Sequence, residues 1–241
     1  FFVQERRRLI RLLQMIEIIP VYHPICKAVS AISVLFVFMV YSGDFLTLKH
    51  TLEFNGLKER NYYSYLQYPD KLLSMVSLMI VGDAQSDDEK AEKILVWVHT
   101  SFKYESDFDL YGELDKWVKP IDSLKIMKGD CEDGAFLIHS LLLHAGVNPT
   151  NIVTSGGLVR SYKAKNGKMI PNGLTGHAWT SYKRQSDGEW IALDWCNYDE
   201  TKVLKEIKPL KKDTNYVSTF MEFNYGGELK VQILNSKFYE S

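Results

Sequence analysis

The stretch Ala135-Phe136-Leu137-Ile138-His139-Ser140-Leu141-Leu142-Leu143-His144-Ala145 carries no formally charged residue and is apolar on nearly every side. A helix of that composition has no face to offer water, so the fold must wrap around it. Its start is marked by Gly129-Asp130-Cys131-Glu132-Asp133-Gly134. Asp130 suits an N-cap, and Asp133 three residues later completes a capping-box-like pair whose carboxylates favour the positive end of the helix dipole. Gly146 supplies the left-handed residue that ends many helices. Cys131 falls in the first turn.

A thiol at that place has a physical advantage. Unpaired backbone N–H groups and the dipole at a helix start favour the thiolate. The acids at 130, 132 and 133 push the other way, so a nucleophilic Cys131 needs a basic partner. The bland reading is a small buried residue on a core helix.

The chain has 241 residues, 46% of them hydrophobic and 13% aromatic, which is enough for one sizeable core and an N-terminal appendage. A formal net charge of -1, with acids and bases mixed, gives no electrostatic footprint for nucleic acid. Cys26, Cys131 and Cys196 are too few and too scattered for a disulfide framework or a Cys-x-x-Cys metal knuckle. No metal and no cofactor is therefore expected.

Two regions follow in order. Residues 1–45 form a basic and apolar segment: Arg6, Arg7, Arg8 and Arg11 precede an uncharged run from Ala28 to Ser42. Fifteen helical residues rise about 22 Å, short of a hydrocarbon core of roughly 30 Å. The run suits a signal-peptide core, a marginal anchor with membrane association through residues 25–43, or a packed helix; location is thus open between membrane-anchored, exported and cytoplasmic. Residues 46–241 form the second region. Leu46 to Phe54 alternates like a strand, and apolar spacing predicts helices from Pro69 to Gly82 and from Asp87 to Phe102, with His99 as a structural residue on the latter. Tyr104 to Pro120 reads as a loop.

After the central helix the period changes to two. Ile152-Val153-Thr154 with Leu158-Val159, then His177 to Lys183, then Trp190 to Cys196 read as strands of an antiparallel sheet, so the class is α+β. Ser161 to Thr175, with three lysines and two Asn-Gly dipeptides, reads as a mobile hairpin or loop.

His139 lies about 12 Å along the helix from Cys131 and cannot serve it. His177 and Asp194 sit on successive strands. A four-residue connection puts them directly opposite each other, and a six-residue one makes them diagonal neighbours on the same face. A one-residue slip separates them. Paired, Asp194 would fix the His177 tautomer and leave the other ring nitrogen for the Cys131 proton.

Gly129-Asp130-Cys131-Glu132-Asp133-Gly134-Ala135, Gly176-His177-Ala178-Trp179 and Leu193-Asp194-Trp195 resemble, in order and context, the three motif blocks of the transglutaminase-like superfamily of cysteine enzymes. The resemblance covers roughly residues 65 to 200. It implies a papain-like core in which a central helix bearing the Cys packs on a small antiparallel sheet. Cys131 would be the nucleophile, His177 the general base and acid, and Asp194 the orienting acid, acting on a peptide or protein amide. The backbone N–H of Cys131 supplies one oxyanion donor; Trp117 or Tyr111 is a candidate for the second.

Without a calcium loop of the Asp-x-Asp-x-Asp-Gly kind, hydrolysis by a transglutaminase-like cysteine protease or amidohydrolase is favoured over protein cross-linking. A non-catalytic binding module of the same fold is the alternative. A metal on Cys131, His177 and Asp194 is disfavoured because no two of them are closely spaced.

Overall fold

The central helix is the most deeply buried element of the computed structural model, which describes residues 62–165, 167–225 and 229–231. These belong to one compact unit, Asn61–Ser241. The N-terminal apolar run and the strand expected at Leu46 to Phe54 lie outside the described residues. No described helix is long and apolar enough to cross a membrane.

Two helices precede the central one. Helix α1, Lys71–Val81, starts where the Asp70 carboxylate accepts from the Leu73 backbone N–H at 2.9 Å, and it ends at Gly82. Helix α2, Asp87–Ser101, starts at Ser86 and buries Ala91, Ile94, Leu95 and Val98 along one stripe. Both match the apolar spacing.

The segment expected to be a loop after Tyr104 holds more structure. Lys103–Tyr104 (β1) pairs in parallel with Lys128–Gly129 (β2), and between them run the short helices α3, Asp107–Tyr111, and α4, Pro120–Ile126. Five- and seven-residue helices leave little periodicity to read; local caps such as the Ser106 hydroxyl on Asp109 N–H hold them instead.

Helix α5, Cys131–His144, buries every residue from Glu132 to Leu143. Asp130 occupies the N-cap position, but its side chain makes no cap hydrogen bond, so the expected capping box is not formed. At the far end Gly146 adopts φ 80°, and the N–H groups of Ala145, Gly146 and Val147 close onto Leu141, Leu143 and Leu142 carbonyls. The Ser77 hydroxyl donates to the Leu141 carbonyl and the Thr180 hydroxyl to the Ala135 carbonyl, each at 2.8 Å, tying α5 to α1 on one side and to the sheet on the other.

That sheet has five described strands in the order β5-β4-β3-β6-β7: β3 Ile152–Lys165, β4 Lys168–Lys183, β5 Trp190–Leu193, β6 Tyr216–Phe223 and β7 Leu229–Val231, every neighbour antiparallel. Of the two forms expected for Ser161 to Thr175, a hairpin or a loop, it takes the hairpin: it is the outer part of β3–β4, paired from Tyr162↔Pro171 to Lys165↔Lys168 around Gly167 at φ 72°. Backbone pairing needs no apolar side chains, so a polar segment can form it.

Register between β4 and β5 decides the site. Lys183 pairs with Trp190, so six residues connect the strands. The connection is pinned from outside: the Asp88 carboxylate accepts from Gln185 N–H at 2.6 Å, Ser186 N–H at 2.9 Å and the Tyr182 hydroxyl at 2.8 Å. Within it, Arg184 holds Asp187 at 2.6 Å. Those contacts set the diagonal arrangement of His177 and Asp194.

Candidate active site

The His177 ring lies near the start of the inner half of β4, and Asp194 follows the last residue of β5. Their side chains meet, His177 Nε2 to Asp194 Oδ2 at 2.8 Å, with side-chain exposures of 9% and 4%. The carboxylate is saturated with donors. Oδ2 also accepts from Asn197 Nδ2 and from the Tyr216 hydroxyl, each at 2.8 Å, while Oδ1 accepts the backbone N–H of Cys196 at 3.1 Å and of Asn197 at 3.3 Å. Burial alone would raise the Asp194 carboxyl, but His177, Asn197 and Tyr216 outweigh it and hold the group below the usual carboxylate range. Asp194 is thus an anion suited to accept an N–H from His177 Nε2, leaving Nδ1 as the ring nitrogen with no described partner.

Cys131 opens α5 and is half-buried. Its thiol donates to Glu132 Oε2 at 3.2 Å, and no described hydrogen bond joins it to His177. Desolvation, then the charges of Glu132 and Asp130, push the thiol well above its ordinary range; a hydrogen bond from the backbone N–H of Ala178, the residue after His177, pulls the other way. The resting sulfur is therefore a thiol.

The helix start is held against the sheet by Trp195, whose indole N–H donates to the Cys131 carbonyl at 3.3 Å. Gly134 makes this approach available: a Cβ there would stand 2.0 Å from Trp195 Nε1. Cys196 also adjoins the pair, its sulfur within 4.8 Å of the ligand atoms of His177 and Asp194. A cleft of ≈ 320 Å³ borders Asp194, Asn197, Tyr216 and Arg160.

Carboxylates from three separate segments gather beside Cys131. Oxygens of Asp107, Asp115 and Glu132 lie within 4.8 Å of one another, as do those of Asp107, Asp130 and Asp133. Asp107 accepts the Lys116 backbone N–H through Oδ2, and Asp133 accepts that of Val118 through Oδ1 at 3.1 Å. Asp107 Oδ1, Asp130 Oδ1 and Asp133 Oδ2 are buried without a partner. Burial, with the neighbouring acids, raises Asp107 to about 6 and Asp133 to about 8, and moves Glu132 in the same direction. Burial and crowding thus favour the protonated form of Asp107, Glu132 and Asp133.

Of the residues singled out in the sequence, His177 and Asp194 are brought into contact, and Cys131 lies at the adjacent helix start. The Trp117 indole N–H donates to Asp115 at 3.0 Å, and its ring packs on Tyr62, Tyr65 and Phe136. His99 is structural, bonded to the Trp195 carbonyl at 2.7 Å and Glu200 at 3.0 Å. Tyr216 and Asn197 were not foreseen, although Tyr216 opens a segment of strand-like composition.

No curated protein sequence matches the chain. Among solved structures it is similar to Legionella pneumophila LapG in a calcium-bound form, at 18% identity and a TM-score of 0.42 over 68% of this chain and 92% of that one. It is also similar to LapG treated with EGTA, at 17% identity and a TM-score of 0.41 over 66% and 84%. A candidate cysteine protease from Cytophaga hutchinsonii aligns at 16% identity and a TM-score of 0.38 over 58% of this chain and 44% of that one. The sequence profile of the Transglutaminase-like superfamily matches residues 75–195, a span that holds Cys131, His177 and Asp194 and covers half of the chain. With an α+β core built on a buried Cys-bearing helix and an antiparallel sheet, the chain belongs to the transglutaminase-like superfamily.

Proposed function

We propose that the protein is a cysteine acyl-transfer enzyme that hydrolyses a peptide or amide bond, with Cys131 as nucleophile, His177 as general base and acid, and Asp194 as orienting acid. The observation that carries this reading is the His177–Asp194 pair at 2.8 Å, whose free Nδ1 belongs to the residue before Ala178, the N–H partner of the Cys131 sulfur. Because the resting sulfur is a thiol, its proton passes to Nδ1 as the sulfur attacks the carbonyl carbon. The C–S bond forms while the C=O pair moves to oxygen. Collapse breaks the C–N bond as His177 returns the proton to the leaving amine. Water, deprotonated by the same nitrogen, then releases the acid and restores the thiol.

Incubating wild type and Cys131→Ala with a proteome-derived peptide library, with and without a fluorescent primary amine, tests the reading. New peptide N-termini made only by the wild type support hydrolysis. Amine incorporation without cleavage would establish cross-linking instead, and capture of intact peptides without either reaction would establish a binding module.

A second reading of the acidic cluster is favoured by its three unpartnered buried oxygens. Asp107, Asp130 and Asp133, with Asp115 and Glu132 grouped on the same Asp107, offer the hard oxygen ligands that a cation such as calcium takes, and positive charge there would replace the protons that Asp107, Glu132 and Asp133 hold. When bound, the ion would offset the acids that oppose a Cys131 thiolate. Calcium should then raise the melting temperature of the wild type and of Cys131→Ala but not of Asp107→Asn; equal melting curves in calcium and in EGTA would leave the cluster as a proton store.

A further inference from the structure

Tyr104 stands beside the nucleophile with nothing structural for its hydroxyl to do. It ends β1, directly paired with Gly129 two residues before Cys131, so the parallel β1–β2 ladder fixes where its side chain begins. Its ring lies 5.9 Å from that of Trp195, the residue whose indole is bonded to the Cys131 carbonyl. The side chain thus leans across the helix start on a support that is itself tied to the nucleophile. Tyr104 remains 56% exposed, and its hydroxyl makes no described hydrogen bond.

We propose that the Tyr104 hydroxyl is the second oxyanion donor, acting with the backbone N–H of Cys131 on the tetrahedral intermediate. The proposal rests on the acyl-transfer reading above. Trp117 and Tyr111 lack the described link to the helix start that Tyr104 has through Trp195. The Trp117 N–H is committed to Asp115, and Tyr111 carries Lys116 Nζ over its ring at 4.6 Å.

Partial desolvation, the largest influence, raises the Tyr104 phenol far above any working pH. That keeps it an O–H donor throughout. An oxyanion donor stabilises charge that exists only after a carbonyl has been attacked. Displacement of iodide by the same sulfur develops no such charge.

The test compares two reagents on one sulfur. With p-nitrophenyl acetate, the Cys131 sulfur attacks the ester carbon, the carbonyl pair moves to oxygen, and p-nitrophenolate leaves to give the acetyl thioester. With iodoacetamide, the sulfur displaces iodide at carbon. Tyr104→Phe keeps the ring on Trp195 and removes only the hydroxyl. It should slow acetylation by about 10- to 100-fold while the alkylation rate stays within twofold of wild type. Equal slowing of both reactions, or of neither, would overturn the proposal, since a wall or packing role moves both or spares both. Tyr104→Leu, which has no donor at that place, should also slow acetylation; wild-type acetylation in it would also overturn the assignment. Failure of the underlying reading looks different, because Cys131→Ala would then react with both reagents as fast as wild type, and the proposal would fall with it.

Discussion

Asp194 shows how one residue's neighbours decide its role. Five donors converge on its two oxygens, and one of them, the Tyr216 hydroxyl, comes from a strand that begins more than twenty residues later. Tyr216→Phe removes one charge-assisted hydrogen bond of about 1.5–3 kcal/mol. It should lower the acetylation rate by p-nitrophenyl acetate by roughly tenfold, and an unchanged rate would mean that His177 needs no help from that side. Asp194→Asn should retain more activity than Cys131→Ala or His177→Ala, because the orienting group does not bond to substrate. The His177–Asp194 contact was legible in the sequence through strand parity, whereas the Tyr216 contact was not, because nothing local to Tyr216 signals which strand it will join.

His139 carries a different prediction at the same scale. It is fully buried, Nδ1 to the Thr154 hydroxyl at 2.9 Å with Nε2 unpartnered, and desolvation depresses it to about 3. An unfolded histidine takes its proton near 6.5. Between those values the unfolded chain binds more protons than the native one, so the neutral ring's contribution is complete above about pH 6.5 and is lost as pH falls toward 3. The loss runs at about 1.4 kcal/mol per pH unit in that window. Urea midpoints of wild type and His139→Gln measured from pH 7 to pH 4 should converge as pH falls, since the variant lacks this titration; parallel curves would contradict the assignment.

At the scale of elements, the decisive junction is α5 against the end of β5. Gly134 lies at the crossing, and its missing Cβ is what lets Trp195 reach the Cys131 carbonyl. Gly134→Ala should destabilise the fold by about 1–3 kcal/mol through overpacking, visible as a lowered melting temperature, and should slow alkylation of Cys131 because the helix start is displaced. Full stability with native reactivity would show that Trp195 moves aside at no cost. The helix itself was readable from its composition, as were α1 and α2 from their spacing. What escaped was the segment of β1, α3 and α4, held by local contacts such as the Ser106 cap and a two-residue ladder rather than by periodicity.

For the molecule as a whole, the family profile and the fold place a cysteine helix against a sheet that carries His and Asp. The three motif blocks made this legible because each is local. The acidic cluster was not legible, since Asp107, Asp115, Asp130 and Asp133 acquire meaning only when α3, its following loop and the start of α5 come together. The central claim is that Cys131 is acylated with the help of His177. Its most direct test is to treat wild type, His177→Ala and Cys131→Ala with p-nitrophenyl acetate, quench in acid during the first turnover, and map the acetyl group by peptide mass spectrometry. The account predicts a single acetyl thioester on Cys131 in the wild type, formed far more slowly in His177→Ala and absent from Cys131→Ala; acetylation of Cys131 at the same rate with and without His177, or acetylation only at other residues, would contradict it.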